Sequence, residues 1–290
     1  MRVLFNEREQ IFALPRGAEV ERLRAAAKER SPVKVALNPR EGVVEKIAAP
    51  SARELREFEE RRIPLENPDR VVRIEVAKID PTTFNIVDHY LNWPVFGLCT
   101  KVMPSYATAK AIFDFCAAQS CSLPGPHAVT PCIPFQYVID GCYARAHKMR
   151  KIIQDDYGYC CEKVFSFANQ GNDELSVVAS KWGGCCVTWW YHVAPLVRVR
   201  IRLQLGSIGL SFVVALVIDP GMFDKPVLLS TWLGAQENAA CSANAHVSTY
   251  SIQPGSAYQP ANYQVTGFVT DPTYADTDAT LIGYQNATTC

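Results

Sequence analysis

No run of apolar residues in this chain is long enough to cross a bilayer. The most apolar stretch, residues 203–218, is broken by Gly206, Ser207, Gly209 and Ser211, whereas a spanning helix needs about 20 consecutive apolar residues. Net charge is also missing: 29 Lys+Arg stand against 29 Asp+Glu, which speaks against nucleic acid or an anionic membrane as the main partner. There is no internal repeat, so solenoid and propeller architectures are excluded. The amino terminus, MRVLFNEREQ, has a three-residue apolar run and no small-residue cleavage site after it, so it does not read as a signal peptide. The expectation is a soluble chain.

Cysteine is almost absent from the first hundred residues, which hold only Cys99, and abundant beyond them, where there are ten. Charge runs the other way, with 33 charged residues in the first hundred and 25 in the other 190. Two segments of different character therefore meet near residue 98, and 290 residues suffice for each to bury a core. So many cysteines point to an oxidising compartment. Their odd number leaves one thiol over if ten pair into as many as five bridges. The vicinal pairs Cys160-Cys161 and Cys185-Cys186 lack the two-residue spacer of a zinc knuckle, so no metal site is expected.

In the first segment the spacing predicts a helix over 18–30, short strands at 33–37 and 42–47, a second helix opened by the capping box Ser51/Glu54, and a strand over Val72–Val76. In the second it predicts a helix over 107–118, then the Pro- and Gly-rich loop CSLPGPHAVTPC, which invites a local bridge from Cys121 to Cys132. A strand at 164–167 and a polar loop over 169–184 follow. The β-branched and aromatic run CCVTWWYHVAPLVRVRIRL reads as one long strand carrying His192, turned at Gly206-Ser207 into a second strand over 212–218 that ends on Asp219-Pro220. Beyond it lie one helix near 226–235 and a tail of little periodicity.

The chemistry centres on DGCYARAHKMRKII, residues 140–153. Asp140, a capping residue type, precedes a helical pattern in which Cys142, Ala146, Met149 and Ile153 share one face. A cysteine in the first turn of a helix meets unpaired N–H groups and the positive end of the dipole, both of which favour its thiolate. His192 follows 50 residues later on a strand and Asp219 a further 27 on, at the end of the next strand. A hairpin brings these two within reach, giving a Cys-His-Asp arrangement of nucleophile, base and orienting acid. His147 is the other candidate base, but it lies five residues along the same helix, about 140 degrees round from Cys142, and points away. Each member also has a plainer reading: a disulfide cysteine, a core histidine, a turn-starting aspartate.

The blocks DGCYARAHKMR, YGYCCEK, WGGCCVTWWYHVA and VIDPGMF together resemble the bacterial secreted protein-glutaminases, or protein-glutamine deamidases, in their proenzyme form. The resemblance implies an α+β fold: a transglutaminase-like (papain-like) cysteine hydrolase core, with a central nucleophile helix packed on an antiparallel sheet, preceded by a small α+β pro-domain. It implies Cys142 as nucleophile, His192 as base and Asp219 as orienting acid. Residues 1–98 would be an inhibitory pro-segment bound over the active site, and 99–290 the mature catalytic domain.

The implied reaction is hydrolysis of glutamine side-chain amides in proteins and peptides through a γ-glutamyl thioester, with ammonia released and no cofactor. Tyr143, Trp189, Trp190 and Tyr191 would line the slot for the glutamine methylenes. The expected partners are polypeptides with exposed glutamine, the pro-segment and an activating protease, with no nucleic acid and no membrane, for a secreted monomer. The second large ring of Trp189-Trp190, and Pro195 interrupting the strand, depart from the family pattern. A transglutaminase or a papain-like protease could use the same triad. A non-catalytic disulfide-rich binding module would instead have Cys142 bridged.

Overall fold

The computed structural model describes residues 2–3, 8, 10–14, 18–29, 31–38, 41–64, 71–73, 101–169, 173–205 and 208–290. The boundary expected near 98, residues 74–76 of the expected strand and the turn at Gly206-Ser207 lie outside the described residues. The fold is mixed α+β.

The charged amino-terminal part builds its own small core. Strands β1 (Arg2–Val3), β2 (Phe12–Ala13), β3 (Lys34–Asn38) and β4 (Val43–Ala48) form a sheet in the order β1-β2-β4-β3. Phe12, Leu14, Leu23, Val44 and Ile47 pack together between this sheet and the helix Ala18–Glu29. The capping box opens the helix Ala52–Glu60: Ser51 Oγ accepts from Glu54 N at 3.3 Å, and Glu54 Oε2 accepts from Ser51 N at 2.8 Å. This part is not self-contained, because β5 (Arg62–Pro64) and β6 (Val71–Arg73) each join a sheet of the later chain.

The largest sheet combines β7 (Glu162–Phe167), β10 (Tyr191–Leu205), β11 (Ile208–Val217), β12 (Val227–Leu228) and β13 (Thr249–Gln253) with β6, in the order β12-β11-β10-β7-β13-β6. Every neighbouring pair is antiparallel. Along β10 the side chains alternate: Tyr191, Val193, Val197 and Val199 enter the core that holds the central helix, while Ala194 and Leu196 enter the opposite one. A second sheet joins β14 (Ala257–Pro260) and β15 (Gly267–Thr270) to β5, and a third pairs β8 (Leu175–Val178) with β9 (Cys186–Trp189).

The central helix, Cys142–Lys151, packs on β10, on β14 and on the helix Ala275–Tyr284. The expected face is buried, with Cys142 1%, Ala146 0%, Met149 2% and Ile153 0% exposed. The other faces are buried too, from Cys142 through Met149. Covering them takes a matched partner for each polar residue: Arg145 donates to the carbonyls of Tyr137 and Asp140, and Lys148 to that of Thr130. The helix passes into a π-helical turn, Ile152–Asp156, shortly before Gly158 at φ +64°.

Several expectations need correction. The aromatic run is two strands in two sheets, broken at Trp190. Pro195 does not interrupt β10: it pairs with Lys163, and the β10–β11 register begins at Leu196↔Val217, so its missing N–H falls where that ladder ends. The polar loop over 169–184 contains β8 and a short 3-10 turn, and the helix expected near 226–235 is Leu229–Gly234, entered from β12. The tail holds β13, β14, β15 and the helix Ala275–Tyr284. These are half-polar elements, shaped by what covers them rather than by periodicity of their own.

The cysteines also part company with expectation. Cys121–Cys132 forms the expected local bridge, beside Cys185–Cys290 and Cys186–Cys241, and Cys160 is bonded as well. Among the described residues three cysteines carry no disulfide, not one: Cys142, and also Cys116 and Cys161, which are buried in the apolar core as small hydrophobes. Among the described residues no helix is long and apolar enough to cross a membrane, and no cluster of side chains suits a metal ion.

Candidate active site

Cys142 opens the central helix, but Asp140 does not cap it. The N-cap is Gly141, at φ +83° with no side-chain hydrogen bond. A Cβ there would meet the Tyr284 ring at 3.0 and 3.1 Å. Both the positive φ and the close ring demand glycine. Gly141→Ala is expected to lose about 1–3 kcal/mol of stability, read as a lower midpoint in urea unfolding.

His192 stands near the start of β10 and Asp219 just past the end of β11, and the hairpin brings them together. His192 Nε2 donates to Asp219 Oδ2 at 2.9 Å, and the Trp232 indole N–H donates to the same oxygen at 2.9 Å. Burial works against a charge on Asp219, yet the hydrogen bond and charge of His192, with the Trp232 bond, hold its carboxyl below the usual carboxylate range. The imidazole stacks on Trp189, at 4.5 Å and nearly parallel, and on Trp232, at 5.4 Å. Trp189 in turn donates to the carbonyls of Val138 and Ile139, shortly before Cys142 in the chain. The loop that leads into the central helix is thus tied to the ring stack around His192.

His147 occupies a different environment. Its Nε2 lies 3.0 Å from the Asp271 carbonyl oxygen and so carries the proton, leaving Nδ1 to accept from Lys163 Nζ at 2.7 Å. Lys163 also donates to the Ala257 carbonyl at 2.6 Å. Burial, aided by the Lys163 charge, pushes His147 down to about 2, and burial pushes Lys163 well below its ordinary value. His147 therefore stays neutral and serves as a brace between helix and sheet. Because its folded value lies below its ordinary 6.5, the unfolded chain takes up a proton below that pH while the native protein does not. Stability is expected to fall by up to about 1.4 kcal/mol per pH unit as pH drops below 6.5. Urea unfolding at a series of pH values checks this, with a shallower fall expected in His147→Asn.

The amino-terminal segment reaches this region. Trp190 Nε1 donates to the Arg8 carbonyl at 2.7 Å, and Gln10 makes an antiparallel bridge with Trp189. The Arg8 guanidinium lies against Asp140, Tyr143 and Tyr284.

Comparison with known proteins agrees with this architecture. The family model described as glutaminase matches residues 109–236. A crystal structure of pro-protein-glutaminase matches over 100% of this chain and 88% of its own, at 29% identity and a TM-score of 0.69. A crystal structure of protein-glutaminase matches over 66% of this chain and 92% of its own, at 34% identity and a TM-score of 0.54. The chain belongs to the protein-glutaminase family. The NMR structure of protein-glutaminase from Chryseobacterium proteolyticum, also 34% identical, covers 65% of this chain and 91% of its own, at a TM-score of 0.53. Among curated proteins none matches.

Within this family member the four aromatic residues expected around the site divide. Tyr143 and Trp190 meet the amino-terminal segment, Trp189 stacks on His192, and Tyr191, at 0% exposure, lies in the core against Trp190 and Phe167. Sequence reasoning missed Trp232 and Tyr284. Trp232 sits 13 residues after Asp219 on a helix that was expected, and that proximity was its signal. Tyr284 comes from the apparently featureless tail and had none.

Proposed function

We propose that the chain is the proenzyme of a secreted hydrolase that deamidates glutamine side chains in proteins and peptides, with Cys142, His192 and Asp219 as its triad. The observations that carry this reading are the His192–Asp219 hydrogen bond of 2.9 Å and the buried, unbridged cysteine that opens the central helix. Similarity to solved protein-glutaminases supports the same activity. A transglutaminase-like core is supported by the nucleophile helix lying on an antiparallel sheet.

The Cys142 thiolate attacks the side-chain amide carbon of glutamine. The tetrahedral adduct collapses with a proton from His192, expelling ammonia and leaving a γ-glutamyl thioester. His192 then takes a proton from water, which attacks the thioester to release glutamate and return the thiol. With Nε2 held by Asp219, Nδ1 is the nitrogen that exchanges protons with Sγ. The developing oxyanion is met by backbone donors that include the N–H of Cys142 at the helix start. Tyr143 and Trp190 contact the substrate, while Trp189 acts through His192 by holding its ring plane. Residues 1–98 act as the inhibitory pro-segment, and their contacts with Tyr143, Trp189 and Trp190 support that role. The absence of a disulfide at Cys142 counts against a disulfide-rich binding module.

The test is ammonia release from a glutamine-containing protein by the proteolysed chain, beside its Cys142→Ala variant. Ammonia from an uncut, uncross-linked substrate, and none from the variant, is the expected result. Peptide cleavage would point to a protease and cross-linking to a transglutaminase. A folded, processed chain that releases no ammonia would overturn the reading.

A further inference from the structure

The segment that covers the site is held there by an arginine, whose described side-chain partners belong to the later chain. Arg8 Nη1 lies 3.0 Å from Asp140 Oδ2, 2.8 Å from Tyr143 Oη and 2.7 Å from Tyr284 Oη. Tyr284 donates to the same Asp140 oxygen at 2.7 Å, and the guanidinium carbon stands 5.9 Å from the centre of the Tyr284 ring. The host is rigid: the Asp140 side chain is 0% exposed while that of Arg8 is 31% exposed. Asp140 precedes Cys142 by two residues and Tyr143 follows it by one. The main chain of the guest is held as well, by Trp190 Nε1 on the Arg8 carbonyl and by the antiparallel bridge of Gln10 with Trp189. Side chain and backbone are therefore gripped in the way an extended polypeptide is recognised, with backbone pairing for affinity and a pocket for selection.

Removing the segment takes away the Arg8 cation and leaves the carboxylate and two phenols beside the nucleophile. A charge-assisted partner on a buried carboxylate oxygen is worth more than the same pair at a surface. A substrate that brings its own guanidinium restores the arrangement, and one that brings an acidic side chain meets repulsion.

We propose that Asp140, Tyr143 and Tyr284 form a subsite for an arginine of the substrate polypeptide close in sequence to the glutamine, and that Arg8 occupies it in the proenzyme as a substrate mimic. This rests on the deamidase reading above. A charge-assisted hydrogen-bonded pair in such a site discriminates by roughly 10- to 100-fold.

The test uses the full chain activated by limited proteolysis and a series of peptides with one glutamine, in which a single arginine moves from three residues before it to three residues after. Ammonia release is measured against the peptide with alanine in its place. One register is expected to gain roughly 10- to 100-fold in kcat/KM, mainly through KM. Citrulline, which keeps the shape and loses the charge, should abolish the gain. In Asp140→Asn the ratio of arginine to alanine peptide should fall to near one. Tyr284→Phe, which keeps the ring over the guanidinium, should lower that ratio in part. If the alanine peptide is turned over and no register gains, Arg8 is only an anchor of the segment and the subsite is wrong, while the deamidase reading stands. If no peptide releases ammonia, both fall.

Discussion

Asp219→Asn is expected to lower kcat for ammonia release by about 10²- to 10⁴-fold while leaving KM little changed. One carboxylate oxygen accepts both the His192 Nε2–H and the Trp232 indole N–H, each at 2.9 Å. An asparagine can present either its oxygen, keeping the two hydrogen bonds without the charge, or its amide nitrogen, which would face two donors. In both cases the imidazolium formed beside the thiolate loses the carboxylate that holds its proton. The alkaline limb of the kcat/KM profile should therefore move to lower pH. A Trp232→Phe change keeps a flat ring against His192 and removes one donor from Asp219, so a smaller loss is expected, about tenfold. Steady-state ammonia release across pH, for both variants beside the wild type, checks this. An Asp219→Asn enzyme with the wild-type kcat and pH profile would remove Asp219 from the mechanism.

Excision of residues 1–98 is expected to raise activity at least about 100-fold, and cutting the chain near residue 98 without removing the segment is expected to raise it far less. Strand β5 hydrogen-bonds to β15 and β6 to β13. Arg61 donates to the Thr270 carbonyl at 2.8 Å, and Arg8 and Gln10 reach the site itself. These contacts do not depend on the covalent link. Once cut, the segment remains a bound inhibitor until it is degraded or displaced. A time course that follows the cut band, the intact fragment and ammonia release together tests the order of events. Full activity in the uncut protein would overturn the inhibitory role, and full activity on the first cut would overturn the requirement for removal.

The aromatic stack around His192 bears on how such a site keeps its geometry. A histidine near the end of a strand could turn about its side-chain bonds. Here Trp189 and Trp232 stack on the ring, and Asp219 sets its rotation about the stacking axis. The doubled Trp189-Trp190 divides two contacts: Trp189 stacks on the His192 ring while Trp190 donates to the Arg8 carbonyl. Substitution of Trp190 should thus act on affinity for polypeptide and pro-segment more than on kcat.

What the sequence by itself determined are the features whose signals are local. The helix beginning at Cys142 follows from the spacing of Cys142, Ala146, Met149 and Ile153. The pairing of His192 with Asp219 follows from two β-rich runs joined by a short turn, which carry both residues to the same end of a hairpin. The capping box at Ser51 and the bridge Cys121–Cys132 were legible for the same reason, since their partners lie 3 and 11 residues apart.

Tertiary structure alone decided the rest. Tyr284 reaches Asp140 across 144 residues, Cys290 bonds Cys185 across 105, and Arg8 meets Tyr143 across 135. No periodicity records such meetings, because they depend on which surfaces close over the central helix. Asp140 shows the limit most directly: its residue type and position suit a helix cap, and local energetics would favour that. Instead its carboxylate accepts from Tyr284 Oη and pairs with Arg8, groups from the two ends of the chain. Likewise Cys116 and Cys161 are indistinguishable in sequence from the bridged cysteines, and only burial in an apolar core keeps them as thiols.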